Sequence, residues 1–354
     1  MTDDNSHKQY DHNYDAVDID PTVTNPTLDD AIIMYLGDRQ PELAQSTLKG
    51  QRYRLDHLVR FGNEHDITTV GELTPVILTQ FTQWRRQHDD LNLVSLNSQL
   101  TTVRVFIAWC ATKGFVQGDL DQAIQIPEIG HDADRRQKRV DADVAAQILT
   151  YCDKYAFAQR PHVIMRLLWR TAMRIGALHA IDVDDYDSDA QQLHVVHRPA
   201  TDTPIKKQHR GERVISLQQQ SCDILDDYIK LHRHAQTDAY GRTPLVTSKQ
   251  GRLSTSSLRR AVYRLTQPCQ VTGECPHNYD IESCEHKGYT SGSGCPSSRA
   301  PHDVRRGAIT HFLSEDIPKE IVQDRCDVSP DVIDHHYDVR TDAEKAEQRR
   351  KYFD

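Results

Sequence analysis

Along the first third of the chain, apolar residues recur at the three-and-four spacing of a helix and not at the alternation of a strand. In "TLDDAIIMYLGDR", Leu28, Ala31, Ile32, Tyr35 and Leu36 form one stripe, the face an amphipathic helix buries. "STLKGQRYRLDHLVRFGNEH" repeats the pattern with Leu48, Leu55, Leu58, Val59 and Phe61, and Ser46 stands where a hydroxyl would cap the first turn. "TPVILTQFTQWRRQH" and "SLNSQLTTVRVFIAWCATKG" continue it, the last closing at Gly114, a residue suited to the left-handed turn after a helix. Residues 25–126 are thus expected to form a small all-helical domain. Its Lys49, Arg52, Arg54, Arg85, Arg86 and Arg104 would face either solvent or phosphate.

The period breaks at residues 127–139, where Pro127, Gly130 and a charge run predict a linker made basic by Arg135, Arg136, Lys138 and Arg139. A second domain, residues 140–354, opens with the helical "DADVAAQILTYCDKYA". Within it "QQLHVVHRPA" and "GERVISL" have the β-branched content of short strands. "STSSLRRAVYRLTQ" returns to helix and carries Arg259, Arg260 and Arg264 as candidate DNA contacts. The expected fold is mainly α, a helical N-terminal domain followed by a larger mixed α+β domain with a small β-hairpin or sheet.

Size agrees, since 354 residues suit two domains. No run of eighteen apolar residues predicts a membrane span. "MTDDNSHKQYDHNYDAVDID" lacks an apolar core and a basic lead, so residues 1–24 read as an acidic disordered tail and the expected location is cytoplasmic. The net charge of −9 is unusual for a nucleic-acid binder. Yet 40 of the 52 acidic residues are Asp and 30 of the 43 basic ones are Arg, a balance expected of a protein working in high salt, where long-range charge is screened. Local basic patches then matter more than the total.

Four of the eight cysteines, Cys269, Cys275, Cys284 and Cys295, crowd into a polar, Gly- and Ser-rich insert at residues 266–297. Clustered cysteines in a cytoplasmic chain suggest metal before disulfides, and an insert without a core of its own needs a staple. The expectation is a structural Zn²⁺ on four thiolates, with His277 or His286 as alternates for one of them. Unligated thiols or disulfides are the other readings.

Three pieces carry chemistry together. Arg174 lies in "LLWRTAMRIGALHAIDVDDYD", where apolar neighbours make an arginine costly without a partner. In "SSRAPHDVRRGAITHFL", Pro301 suits a helix start and His302 and Arg305 share a face at that start, an arrangement that favours a phosphate. Tyr337 ends "IVQDRCDVSPDVIDHHYDV"; a phenol, with a pKa of about 10, becomes a nucleophile only when aimed at a phosphate held by cations. The order Arg, His-x-x-Arg, Tyr in these three segments resembles the tyrosine recombinases, or phage-type integrases, which break and rejoin DNA, and the likeness in motif spans about 140 to 340.

That resemblance implies a helical, SAM-like core-binding domain ahead of the catalytic domain, double-stranded DNA as partner and tetramers on paired sites. It implies that Arg174 and Arg305 clamp the scissile phosphate, that His302 assists with proton or charge, and that Tyr337 attacks to leave a 3′-phosphotyrosyl link. A hairpin lysine acts in the family as general acid, and "TPIKKQHRGERVISL" offers Lys206 as first choice and Lys207 as second. No cofactor is implied for the chemistry. Two positions depart from the pattern. Nine residues before Tyr337, where the family carries a His or Trp donor, stands Val328, and three after Arg174, where an acid is common, stands Ala177. These departures leave room for a second reading, a zinc-stapled DNA-binding protein of the same fold with weak or no catalysis.

Overall fold

The structure is a computed structural model, and it describes residues 24–89, 91–129, 138–338, 346–347 and 350. The acidic tail before residue 24, Arg135 and Arg136 lie outside the described residues. The chain divides into two units, Met1–Arg135 and Arg136–Asp354.

The first unit is built from α1 (Leu28–Arg39), α2 (Gln45–Glu64), α3 (Pro75–Gln87) and α4 (Leu93–Thr112). Local signals set most helix ends. The Thr27 hydroxyl accepts from the Asp30 amide, the Thr74 hydroxyl from Ile77 ahead of a first-turn Pro75, and the Asn92 carboxamide from Ser95. Gly114 takes the left-handed φ of 79° just beyond α4. Ser46, however, is not a cap: α2 begins one residue earlier, behind Ala44, without a side-chain cap. The apolar stripes meet in one core, where Tyr35 sets its ring edgewise to Phe106 and Trp109 and Phe61 packs on Phe81 and Trp84. Two of the cations expected to face solvent or phosphate are spent on structure. Arg85 is 1% exposed and donates to Gln99 and to Asp89 at 3.1 Å, and Arg52 is paired with Asp29 and Asp56.

The second unit runs α5 (Ala142–Tyr155), α6 (Arg160–Thr171) and α7 (Ile175–Ala180), then three short strands, β1 (Tyr186–Asp187), β2 (Gln192–Val195) and β3 (Arg213–Ser216). After α8 (Gln219–Asp227) come a second pair of strands, β4 (Thr247–Ser248) and β5 (Gly251–Arg252), and the helices α9 (Thr255–Leu265) and α10 (Pro268–Thr272). The chain ends in α11 (Pro301–Ser314), α12 (Lys319–Cys326) and α13 (Pro330–His336). Helix α6 is buried almost all round, from Val163 through Trp169, as befits a helix that packs against α5, α9 and α11 at once. The main sheet is antiparallel in the order β1-β2-β3, with Leu193 opposite Ile215; alternation turns that pair into the core together with Val195. Arg198 pins the loop between β2 and β3 by pairing with Asp185, and its backbone bridges to Thr203. Lys206 and Lys207 ride on that loop.

Helix α11 lies so close to the segment entering α5 that a Cβ at Gly307 would stand 1.8 Å from the Val140 carbonyl oxygen. The same approach lets Val140 donate to the Asp303 carbonyl at 3.1 Å. Backbone thus docks on backbone and fixes the start of α11, where the candidate site residues sit. Among the described residues no helix is long and apolar enough to cross a membrane. Thermal melting checks the close approach: Gly307→Ala should lower the melting temperature sharply or prevent folding. Gly176→Ala, in α7 with nothing within 4 Å of its added Cβ, should stabilise by about 0.5–1 kcal/mol through better helix propensity.

Candidate active site

Helix α6 ends at Thr171, whose hydroxyl accepts from the Met173 amide, and the chain turns through Ala172 in a left-handed conformation. That turn leaves Arg174 as the extended cap residue of α7, half-buried. Its guanidinium pairs with the Asp327 carboxylate, and Nη2 donates to the Asp327 carbonyl at 3.0 Å. Arg305, on the buried face of α11, is 1% exposed. Its Nη1 donates to the Ala172 carbonyl and its Nη2 to the same Asp327 carbonyl at 3.3 Å. The two arginines, far apart in sequence, therefore converge on one oxygen. Arg305 Nε is buried without a hydrogen-bond partner. Burial lowers the Arg305 pKa, Arg174 lowers it further, and Cys326 and the nearby phenol of Tyr337 pull it back up.

His302 stands one turn before Arg305 at the start of α11. Asp303 between them accepts from the Ala300 amide at 3.0 Å and so caps the helix. The His302 ring has an edge open to solvent, yet desolvation on its inner side and the charges of Arg306, Arg305 and Arg174 depress its pKa to about 4, against an upward pull from Asp303. It is a neutral imidazole at physiological pH, able to accept a proton. Tyr337 follows α13, with its carbonyl accepting from the Thr310 hydroxyl at 3.2 Å and its side chain only 3% exposed. Lys319 ties α13 and the residue after the tyrosine to α12 through Asp334 and Asp338.

The hairpin lysines divide unequally. Both are exposed, but Lys207, in a left-handed conformation at φ 69°, turns its ammonium onto Asp327 Oδ1 at 2.7 Å. Lys207, the second choice from sequence, is thus the one that shares the Asp327 carboxylate with Arg174. Val328 is 6% exposed and sits in the core, so nothing at that position donates to the site. His335 and His336 set their rings against each other at 4.4 Å, with His336 toward Tyr337 at 6.4 Å. Ala177 only donates its amide to the Arg174 carbonyl; the acid facing Arg174 comes instead from Asp327. Sequence reasoning missed Asp327 and also Arg213, which donates to the Arg325 and Gly211 carbonyls. Burial lowers the Arg213 pKa, while Asp327 raises it and Arg305 and Arg174 lower it again. The one available signal for Asp327 was its place beside the aberrant Val328.

Of the candidate DNA contacts, Arg259 and Arg264 are exposed along α9 and Arg260 lies 4.7 Å over the Tyr289 ring. Lys138 is exposed, its carbonyl held by Arg306, and Arg139 is paired with Asp141. In the insert Cys269, Cys275, Cys284 and Cys295 are unbridged and half-buried. His277 donates to or accepts from Ser297 at 2.9 Å and His286 lies beside Glu285. Among the described residues no three His, Cys, Asp or Glu side chains form a group able to hold a metal ion.

A half-buried and a buried arginine that converge on one carbonyl, with a tyrosine beside the second and a neutral histidine one turn before it, form the candidate site of this mainly helical chain. The profile of the phage integrase family matches residues 138–337, more than half of the chain, and the chain belongs to that family of tyrosine recombinases. The tyrosine recombinase XerC of Mycobacterium bovis is 24% identical over 233 residues, covering 65% of this chain and 67% of its own. Tyrosine recombinase XerD of Mycobacterium leprae is 24% identical over 299 residues, covering 80% and 83%. Among solved structures, the Tn1549 transposon integrase in complex with a circular intermediate DNA aligns over 92% of this chain and 99% of its own, 14% identical, with a TM-score of 0.66. A lambda integrase dimer bound to a COC′ core site aligns over 92% and 77%, 14% identical, with a TM-score of 0.58. These structures share the fold.

The depressed pKa of His302 has a direction that can be measured. The unfolded imidazole titrates near 6.5 and the folded one near 4, so between these values the unfolded chain binds the extra proton and stability falls as pH falls. Denaturant unfolding from pH 7 to pH 4.5 should show a shallower loss in His302→Gln than in the wild type, and NMR should find the His302 ring neutral at pH 6.

Proposed function

We propose that this protein is a site-specific DNA recombinase that cuts and rejoins duplex DNA through a 3′-phosphotyrosine. What carries the reading is the convergence of Arg174 and Arg305 on a single oxygen beside the Tyr337 phenol. A scissile phosphate in that position would give each guanidinium a non-bridging oxygen, a charge-assisted contact in a partly dry pocket. Tyr337 Oη attacks phosphorus as its proton passes to a base, for which the neutral His302 is suited. The bond to the 5′ oxygen breaks, and that oxygen takes a proton from a hairpin lysine, Lys207 by its reach or Lys206 by its place in the loop. Attack by a 5′-hydroxyl on the phosphotyrosine reverses these steps, so no nucleotide is consumed. Exposed Arg259, Arg264 and Lys138, with Arg260, Arg135, Arg136 and Arg139, supply cations for the DNA backbone, and a tetramer on paired sites is the expected assembly.

The sequence of the DNA site is set by experiment first, by selection of bound fragments from a random library. On a nicked duplex carrying the selected site, a denaturing gel should show a covalent protein–DNA adduct that disappears in Tyr337→Phe. Arg305→Ala should lose about 100-fold or more in adduct rate, the usual cost of removing a transition-state donor. Binding without an adduct would favour the reading in which Val328 and Ala177 leave a catalytically silent DNA-binding protein.

A structural zinc in the insert is a separate proposal. Its support is that Cys269, besides being pushed up by burial, feels the thiols of Cys275, Cys295 and Cys284. In addition, Cys275, Cys284 and Cys295 each open a turn closed on their own carbonyl by Asn278, Lys287 and Ser298. Metal analysis of the pure protein should find about one equivalent of zinc, falling to none in Cys284→Ser; less than half an equivalent sinks the proposal.

A further inference from the structure

Asp327 is placed by α12, which it terminates in a left-handed conformation with φ 50° and ψ 63°. This conformation accepts Gly, Asn or Asp at little cost, so the backbone alone does not call for a carboxylate. The side chain nonetheless turns inward, pairs with Arg174 and takes Lys207 at 2.7 Å. Its carbonyl receives both Arg174 and Arg305. Burial works to raise its pKa, but the Lys207 hydrogen bond and the Arg174 charge outweigh burial and hold it below the ordinary carboxylate range. The group is therefore a permanent anion, 9% exposed, facing cations that the reading above assigns to the scissile phosphate and the leaving oxygen. A carboxylate offers guanidinium the same planar pair of acceptors that two phosphate oxygens do.

We propose that Asp327 is a resident anion that fills the phosphate seat of the free protein and must be displaced by the substrate. The inference rests on Arg174 and Arg305 being the phosphate clamp. It gives the unliganded site one resident negative charge against Arg174, Arg305 and Lys207, so the cluster of cations is partly compensated before substrate arrives. It also sets a threshold: only an anion held by many other contacts, as a phosphate within a bound duplex is, competes with a carboxylate covalently fixed in place. The rival role is a buttress, in which Asp327 substitutes for the acid missing at Ala177 and orients Arg174 for the substrate. The two roles predict opposite signs. Removing a competitor tightens anion binding, and removing a buttress weakens it.

Inorganic phosphate is the probe, titrated at constant high ionic strength made up with sodium chloride and followed by thermal melting of the full chain. With chloride alone, Asp327→Asn should melt lower than the wild type, since the cations lose their partner. With phosphate, its melting temperature should rise at concentrations at least tenfold below those needed by the wild type, as mass action on a freed site requires. Arg174→Ala in the Asp327→Asn background should abolish the response. Asp327→Gly, which suits the left-handed φ, serves if the Asn variant does not fold. An equal or weaker response of the Asp327 variants overturns the proposal and leaves the clamp standing. No response in any variant overturns both the proposal and the assignment of the clamp.

Discussion

Arg305 is a full positive charge inside a helical core, and the second unit is arranged around the cost of keeping it there. Burying an unpaired guanidinium is prohibitive, yet among the described residues no carboxylate is hydrogen-bonded to it. Besides the Tyr337 side chain, its partners are two backbone carbonyls, of Ala172 and Asp327. Each belongs to a left-handed residue at the end of a helix, where a carbonyl no longer serves the helix ladder and points elsewhere. One arginine thereby fastens the turn after α6 to the turn after α12, and α11, which carries it, is fixed in turn by the close backbone approach at Gly307. The candidate site lies where helix ends meet, and helix ends have carbonyls to spare.

The electrostatics follow. Arg174, Arg213 and Lys207 all feel the Asp327 carboxylate, and the His302 pKa is depressed first by desolvation and then by the charges of Arg306, Arg305 and Arg174. A histidine so placed is a neutral hydrogen-bonding group and not a fixed charge.

Helix positions in both units were legible because contacts at three- and four-residue spacing are local, and the buried stripes of α1 through α4 fall where the apolar residues said they would. Arg174, His302, Arg305 and Tyr337 could be singled out because their order in the chain is distinctive, and the structure brings Arg174 and Arg305 onto one carbonyl. What was illegible is instructive. Ser46 and Ala44 differ by a fraction of a turn, which periodicity does not resolve. Arg85 has the same side chain as its exposed neighbour Arg86, and only the helix rotation decides which is buried. Lys206 and Lys207 are adjacent, and a single left-handed φ decides which reaches the site. Asp327 lies 153 residues from Arg174, a pairing that no local pattern reports.

The helix before the tyrosine is fastened quite differently from the arginines. Helix α13 has seven residues and buries one apolar side chain, Ile333, and Lys319 ties this end of the chain through Asp334, on the exposed side, and through Asp338, which is buried. A solvent-side ion pair is worth about 1 kcal/mol or less and fades in salt. What the ion pair does not supply, packing does: Ile333 and Tyr337 both lie in the core that holds Arg305, and Thr310 donates to the Tyr337 carbonyl. A phenol enclosed to 3% exposure meets a bound molecule only if the chain around it shifts, so the tyrosine end and the core have to yield together.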